Sequence, residues 1–155
     1  MKLTRTIAFV LCFEMILCIL TACGSKTPQT VSGFNEVMED AGFEVQDVTA
    51  DTETNDLATT VLVAVGENYQ IEFYELVDSD TGEGVFYNNK QLFADEHSVT
   101  TMSSEVTSGN YNYYAFNADG NFHMIARVDN TMLWCEAAKE YKDEIVEFVK
   151  TLGYK

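Results

Sequence analysis

The chain has 155 residues, and 25 acidic against 9 basic side chains give it a formal net charge of −16. That length suffices for one domain with a proper core and leaves little room for a second. The acidic balance disfavours nucleic acid and anionic lipid headgroups as partners, and it suits solubility, a cationic ligand or a basic protein.

In chain order, Lys2 and Arg5 precede an apolar run at 7–20 that is broken only by Glu14. A spanning helix needs roughly 20 apolar residues, and a carboxylate at mid-membrane is costly. The layout therefore predicts an export signal. The run ends in Leu20-Thr21-Ala22-Cys23, followed by polar Gly24, Ser25 and Lys26 and by Pro28. This tetrad resembles the lipobox of bacterial lipoprotein precursors, with an apolar handle, two small residues that admit a peptidase, and a thiol. The resemblance implies a diacylglyceryl thioether on Cys23, cleavage before it, and acylation of the new N-terminus with chains such as palmitate. Two or three acyl chains hold a protein far more firmly than the single chain that gives reversible attachment. It also implies a signal peptide at 1–22, a lipidated tether from Cys23 and a place on the extracytoplasmic face of the cell membrane; the tether is read as 23–32, and length leaves a single domain at 33–155. The mature chain would carry 7 basic and 24 acidic residues. Its sole unmodified cysteine would be Cys135, so no intramolecular disulfide could form.

Beyond a polar tether expected to be disordered, Phe34, Val37, Met38 and Ala41 recur at helical spacing, with Ser32 as the expected N-cap and Gly42 as the stop. Alternation predicts strands at 43–49, 59–65 and 69–77, the second apolar on both faces. A second helix is predicted at 83–95, with Val85, Asn89, Leu92 and Phe93 on one side, and Gly82 and Gly84 weaken its start. Strands follow at 99–106 (edge-like, rich in Ser, Thr and Val), 111–117, 122–128 and 131–137. Asp119-Gly120 is a hairpin signal between two of them. Tyr141, Ile145, Phe148, Val149 and Leu152 then mark a closing helix capped by Gly153. Short turns between consecutive strands favour antiparallel pairing. The expected fold is thus α+β, in the order α-βββ-α-ββββ-α, with three helices on a mostly antiparallel sheet or sheets. From Phe34 onward this layout, closing on Leu152-Gly153-Tyr154, resembles small uncharacterised lipoproteins of Gram-positive bacteria. That similarity carries no catalytic motif.

Chemistry-bearing residues are few. Cys135, with His97 or His123, is the only thiol nucleophile on offer, but Leu133-Trp134-Cys135-Glu136 on a strand reads as a small buried cysteine. Asp78-Ser79-Asp80-Thr81-Gly82-Glu83 opens like a calcium loop, yet its glycine falls at the fifth position and Asn89 stands where a glutamate is needed. The two histidines lack zinc-ligand spacing. No metal, cofactor or catalytic residue is assigned. The aromatic run Tyr111-Asn112-Tyr113-Tyr114-Ala115-Phe116 could present one ring-bearing face for a glycan or peptide. Tyr111 and Tyr113, joined by His123 and Arg127 on the next strand, form the candidate binding patch. The expectation is a lipid-anchored, non-enzymatic binding or interaction module for a protein, peptide or glycan. The alternative is a small cell-envelope hydrolase, or an accessory subunit, using carboxylate chemistry.

Overall fold

A computed structural model describes residues 25–53, 56–97 and 103–155. The leader, the lipobox with Cys23, part of the acidic 50–56 loop and the expected strand start at 99–102 lie outside the described residues. The elements are α1 (Val31–Asp40), β1 (Glu44–Asp47), β2 (Ala58–Val65), β3 (Gln70–Leu76), α2 (Ser79–Glu96), β4 (Ser104–Ser108), β5 (Tyr111–Ala118), β6 (Asn121–Val128), β7 (Thr131–Ala138) and α3 (Lys142–Thr151). The expected α-βββ-α-ββββ-α order and the α+β class are both found. All seven strands form one antiparallel sheet in the order β1-β2-β3-β7-β6-β5-β4. Two meanders are therefore joined edge to edge, β3 against β7, with Glu72 opposite Trp134 and Tyr74 opposite Met132.

Helices pack on both faces of the sheet. On one, α1 and α3 bring Phe34, Met38, Ile145 and Val149 onto Ile71, Phe73, Tyr113, Met124 and Leu133. On the other, Phe86 and Phe93 of α2 pack on Tyr114, Phe116, Ile125 and Met132. Burial on both faces explains why β5 and β6 carry apolar and aromatic residues on both sides, with Asn112, His123 and Arg127 as buried polar exceptions. The edge strand β4 is exposed throughout and polar but for Val106, which leaves little apolar surface for another chain to pair with. None of the helices among the described residues is long and apolar enough to cross a membrane.

Cap chemistry sets the helix limits. α1 is capped by Thr30, whose Oγ1 accepts from the Gly33 amide at 3.0 Å. The expected cap, Ser32, already lies inside the helix, because the Thr30 hydroxyl is the one within reach of the third amide along. α2 begins at Ser79, four residues before the predicted start, since the Asp78 carboxylate accepts from the Thr81 amide at 2.7 Å. α3 ends in a Schellman turn. The Tyr154 amide donates to Val149 O at 2.8 Å and the Gly153 amide to Lys150 O at 2.9 Å, with Gly153 at φ +87°. Tyr154 then turns inward, and its hydroxyl lies 2.5 Å from Thr131 Oγ1. The closing Leu-Gly-Tyr is thus a helix stop followed by a core residue.

Residues 25–30 are not the free tether that composition suggests. Asn110 grips Lys26 through both backbone groups: the Lys26 amide donates to Asn110 Oδ1 at 2.9 Å, and Asn110 Nδ2 donates to Lys26 O at 2.7 Å. Lys26 Nζ donates to Gly153 O at 3.0 Å and sits over the Tyr111 ring, 4.4 Å from its centroid.

Candidate functional site

α2 lies chiefly over β6 and β7 and touches β3 less. Among the described residues nothing packs over the β2–β3 half of that sheet face, and an open cleft of about 800 Å³ runs between it and the flank of the helix. The volume is in the range of small-molecule sites, roughly 300–1,000 Å³. The sheet supplies Ala58 from β2, Glu72, Tyr74 and Leu76 from β3, and Met132 and Trp134 from β7. The helix supplies Thr81, Gly84, Val85, Asn88 and Asn89, and Glu53 and Leu57 line the loop side.

Register explains this assembly. Alternation sends Ile71 and Phe73 into the α1–α3 core and leaves Glu72 and Tyr74 on the cleft face. The β3–β7 pairing sets Trp134 directly across from Glu72. The Tyr74 hydroxyl donates to Glu72 Oε2, and Gln70 Nε2 donates to Glu72 Oε1 at 3.0 Å. Burial, and then the Glu72 bond and charge, hold the Tyr74 phenol well above its ordinary value, so it remains a donor. Phe93 backs Trp134 with a stacked contact, ring centroids 6.5 Å apart. Asn89 Nδ2 is held by Val85 O at 2.9 Å. Gly84 leaves the helix side open, for a methyl group there would meet nothing within 4 Å.

The four residues of the aromatic patch are not brought together. Tyr111 and Tyr113 point into the α1–α3 core, with cross-strand partners Val128 and Ala126. His123 and Arg127 stand opposite Phe116 and Asn112, on the α2 face. With a strand period of two, positions paired as Tyr113↔Ala126 force 123 and 127 to the far side of the sheet. All four are also buried, with none above 5% exposure, so they offer no surface. Burial pushes the hydroxyls of Tyr111 and Tyr113 up to about 12.

His123 is packed against Phe116, with centroids 4.8 Å apart and rings 9° from parallel, and against His97 at 4.5 Å. Arg127 lies under the start of α2, where its guanidinium donates to Asn112 Oδ1 at 3.0 Å and to Ser79 Oγ at 3.4 Å. Cys135 belongs to the other face of β7 and is fully buried, its Sγ 3.2 Å from Gln70 O. Burial pushes that thiol up to about 12, which makes it a poor nucleophile. The stretch from Asp78 to Glu83 forms the cap and first turns of α2, with the Asp78 carboxylate engaged by Thr81. Among the described residues no three His, Cys, Asp or Glu side chains converge as a metal site would require.

Sequence reading missed Glu72, Tyr74 and Trp134. The alternation of β3 showed that Glu72 and Tyr74 share a face. Nothing local showed that Trp134, 62 positions away, pairs there.

No protein-family model matches the chain, and no curated protein does either. The fold is similar to a solved structure described as a GTP binding regulator from Thermotoga maritima. The identity is 14%, the match covers 80% of this chain and 84% of that one, and the TM-score is 0.48. So slight a likeness transfers no ligand or activity to this chain.

Proposed function

We propose that the chain is a lipid-anchored, extracytoplasmic binding module, attached to the cell membrane through Cys23 and taking a ligand in the cleft beside α2. The single observation that carries the binding half is the cleft itself. It is an open, pre-formed hollow of about 800 Å³ that combines apolar and aromatic walls with a few oriented polar groups, the composition of a ligand site. The chemistry of its wall favours binding over catalysis. Tyr74 is kept protonated, Glu72 is occupied by two hydrogen bonds, and Cys135 and the buried His123 stand outside the lining. The anchoring half rests on the basic, apolar leader ending in Leu20-Thr21-Ala22-Cys23. The docking of residues 25–30 agrees with it, since the domain then begins a few residues after the lipid.

Metabolic labelling with palmitate, followed by fractionation, tests the anchor. Label should run with the membrane fraction in the wild type and vanish in Cys23→Ala, which should accumulate as unprocessed precursor. Normal processing of that variant would overturn the anchor. The cleft is tested through the fluorescence of Trp134, the only tryptophan in the chain. Titration with small fragments should yield saturable binders that weaken at least about tenfold in Gly84→Leu, where a side chain fills the opening. A collection of fragments giving no saturable response would overturn the site.

A further inference from the structure

We propose that the cleft is selective for an organic ammonium group, held by the Glu72 carboxylate beside the rings of Tyr74 and Trp134. This deepens the reading of the cleft as the ligand site and rests on it. Three observations carry it.

Glu72 and Trp134 are directly opposed in the antiparallel β3–β7 pair, and Tyr74 is the next residue of β3 on that face. Opposed side chains start about 4.5–5.5 Å apart, so a group bound at Glu72 also meets aromatic surface. Ring faces attract cations through their quadrupole, most of all where water is partly excluded.

Among the described residues, no cation balances the charge at Glu72. The carboxylate is half-buried, and its two hydrogen bonds come from neutral donors, Gln70 and Tyr74. Among the described residues the lysine–carboxylate ion pairs join Lys90 to Glu105 and Lys150 to Glu147, the histidines stand beside Asp119 and Glu136, and none of these contacts includes Glu72. The lining contains Glu53 as a second acid and no Lys, Arg or His. A half-buried anion with no counter-ion among the described residues attracts a ligand that brings one.

The donor set suits an ammonium better than a bare metal ion. Calcium asks for six to eight oxygens, and no three acidic, histidine or cysteine side chains converge here among the described residues. A substituted ammonium needs one carboxylate and apolar or aromatic contact for its carbon groups, which Tyr74, Trp134, Met132 and Leu76 supply.

The test compares choline with 3,3-dimethylbutan-1-ol, which has the same shape and no charge. Both are titrated into the full chain in detergent micelles and followed through Trp134. Choline should bind saturably and at least about tenfold more tightly than the neutral alcohol. Raising sodium chloride from about 0.05 to 0.5 M should weaken choline and leave the alcohol unchanged. Glu72→Gln should bring the two affinities together while the circular dichroism spectrum stays that of the wild type. Equal affinity for both probes would overturn the ammonium selectivity and leave a cleft for neutral ligands standing. No saturable response to either probe would count against selectivity and cleft alike. If Glu72→Gln fails to fold, the comparison of probes and its salt dependence in the wild type decide.

Discussion

His123 is a buried imidazole with no well-formed side-chain partner, and its burial makes it a pH-dependent weak point. Its Nδ1 stands 3.7 Å from Glu136 Oε2, too far for a good hydrogen bond, while Phe116, Phe93 and His97 pack around the ring. Burial lowers its pKa below the ordinary 6.5 and outweighs the opposing pull of Glu136. The unfolded chain therefore takes up the proton first. Stability is at its full value above about pH 6.5 and falls as pH drops below that, by at most about 1.4 kcal/mol per pH unit for one proton. Asp47 and Asp78 do not blur this window. Hydrogen bonds from Thr49 and Thr81 hold both carboxyls below the usual carboxylate range, so their effect comes in more acid solution. Urea midpoints measured at pH 7.5 and 5.5 should differ in the wild type and converge in His123→Phe. Equal midpoints in the wild type would mean that the imidazole is solvated or charged in the folded state.

At the level of elements, α2 shows how one helix can need two glycines for opposite reasons. A methyl group on Gly82 would come within 2.6 Å of Asp129 O, so this glycine lets the helix approach the β6–β7 turn. At Gly84 a methyl group would meet nothing within 4 Å, and the residue only lowers helix propensity while leaving the cleft open. Gly82→Ala should therefore destabilise the fold by about 1–3 kcal/mol, the usual penalty for overpacking. Gly84→Ala should stabilise it by about 0.5–1 kcal/mol. Denaturant unfolding of both variants checks the pair, and the same sign for both would refute the placement of α2. The two glycines also show where the sequence was legible. α1 and α3 could be read from their periodic Phe, Val, Ile and Leu, because a single apolar stripe meets a single core. α2 was found late and with part of the wrong face. Leu92 is exposed, and the inward positions are Gly82, Phe86 and Phe93, so a glycine stands where periodicity looks for bulk. The hairpins were visible through Asp119-Gly120 and its like, since turn chemistry is local. The aromatic patch failed for lack of register, which alone decides the face of a neighbouring strand. The cleft was invisible because its floor depends on β3 meeting β7, a pairing that no local signal encodes.

At the scale of the whole molecule, the docked segment governs how the domain would stand on a membrane. With the lipid on Cys23 as proposed, three peptide links separate it from Lys26, a reach of about 10 Å at most. Released as far as Thr30, the chain would span about 25 Å. The difference matters because the proposed mature chain, at 7 basic against 24 acidic residues, would be repelled by anionic lipid over a Debye length of about 8 Å at physiological salt. A clamped domain has to stay within that field, and a released one can drift out of it. Asn110 is the hinge of the clamp, holding both backbone groups of Lys26 and donating to Asp129 Oδ2 at 2.8 Å. Asn110→Ala together with Lys26→Ala removes the grip, the bond to Gly153 O and the cation over Tyr111. Energy transfer from Trp134 to dansyl-labelled headgroups in anionic vesicles should then fall relative to the wild type. It should fall less in zwitterionic vesicles, where nothing repels the acidic surface. Transfer unchanged in both would mean that residues 25–30 do not set the distance between the domain and the lipid.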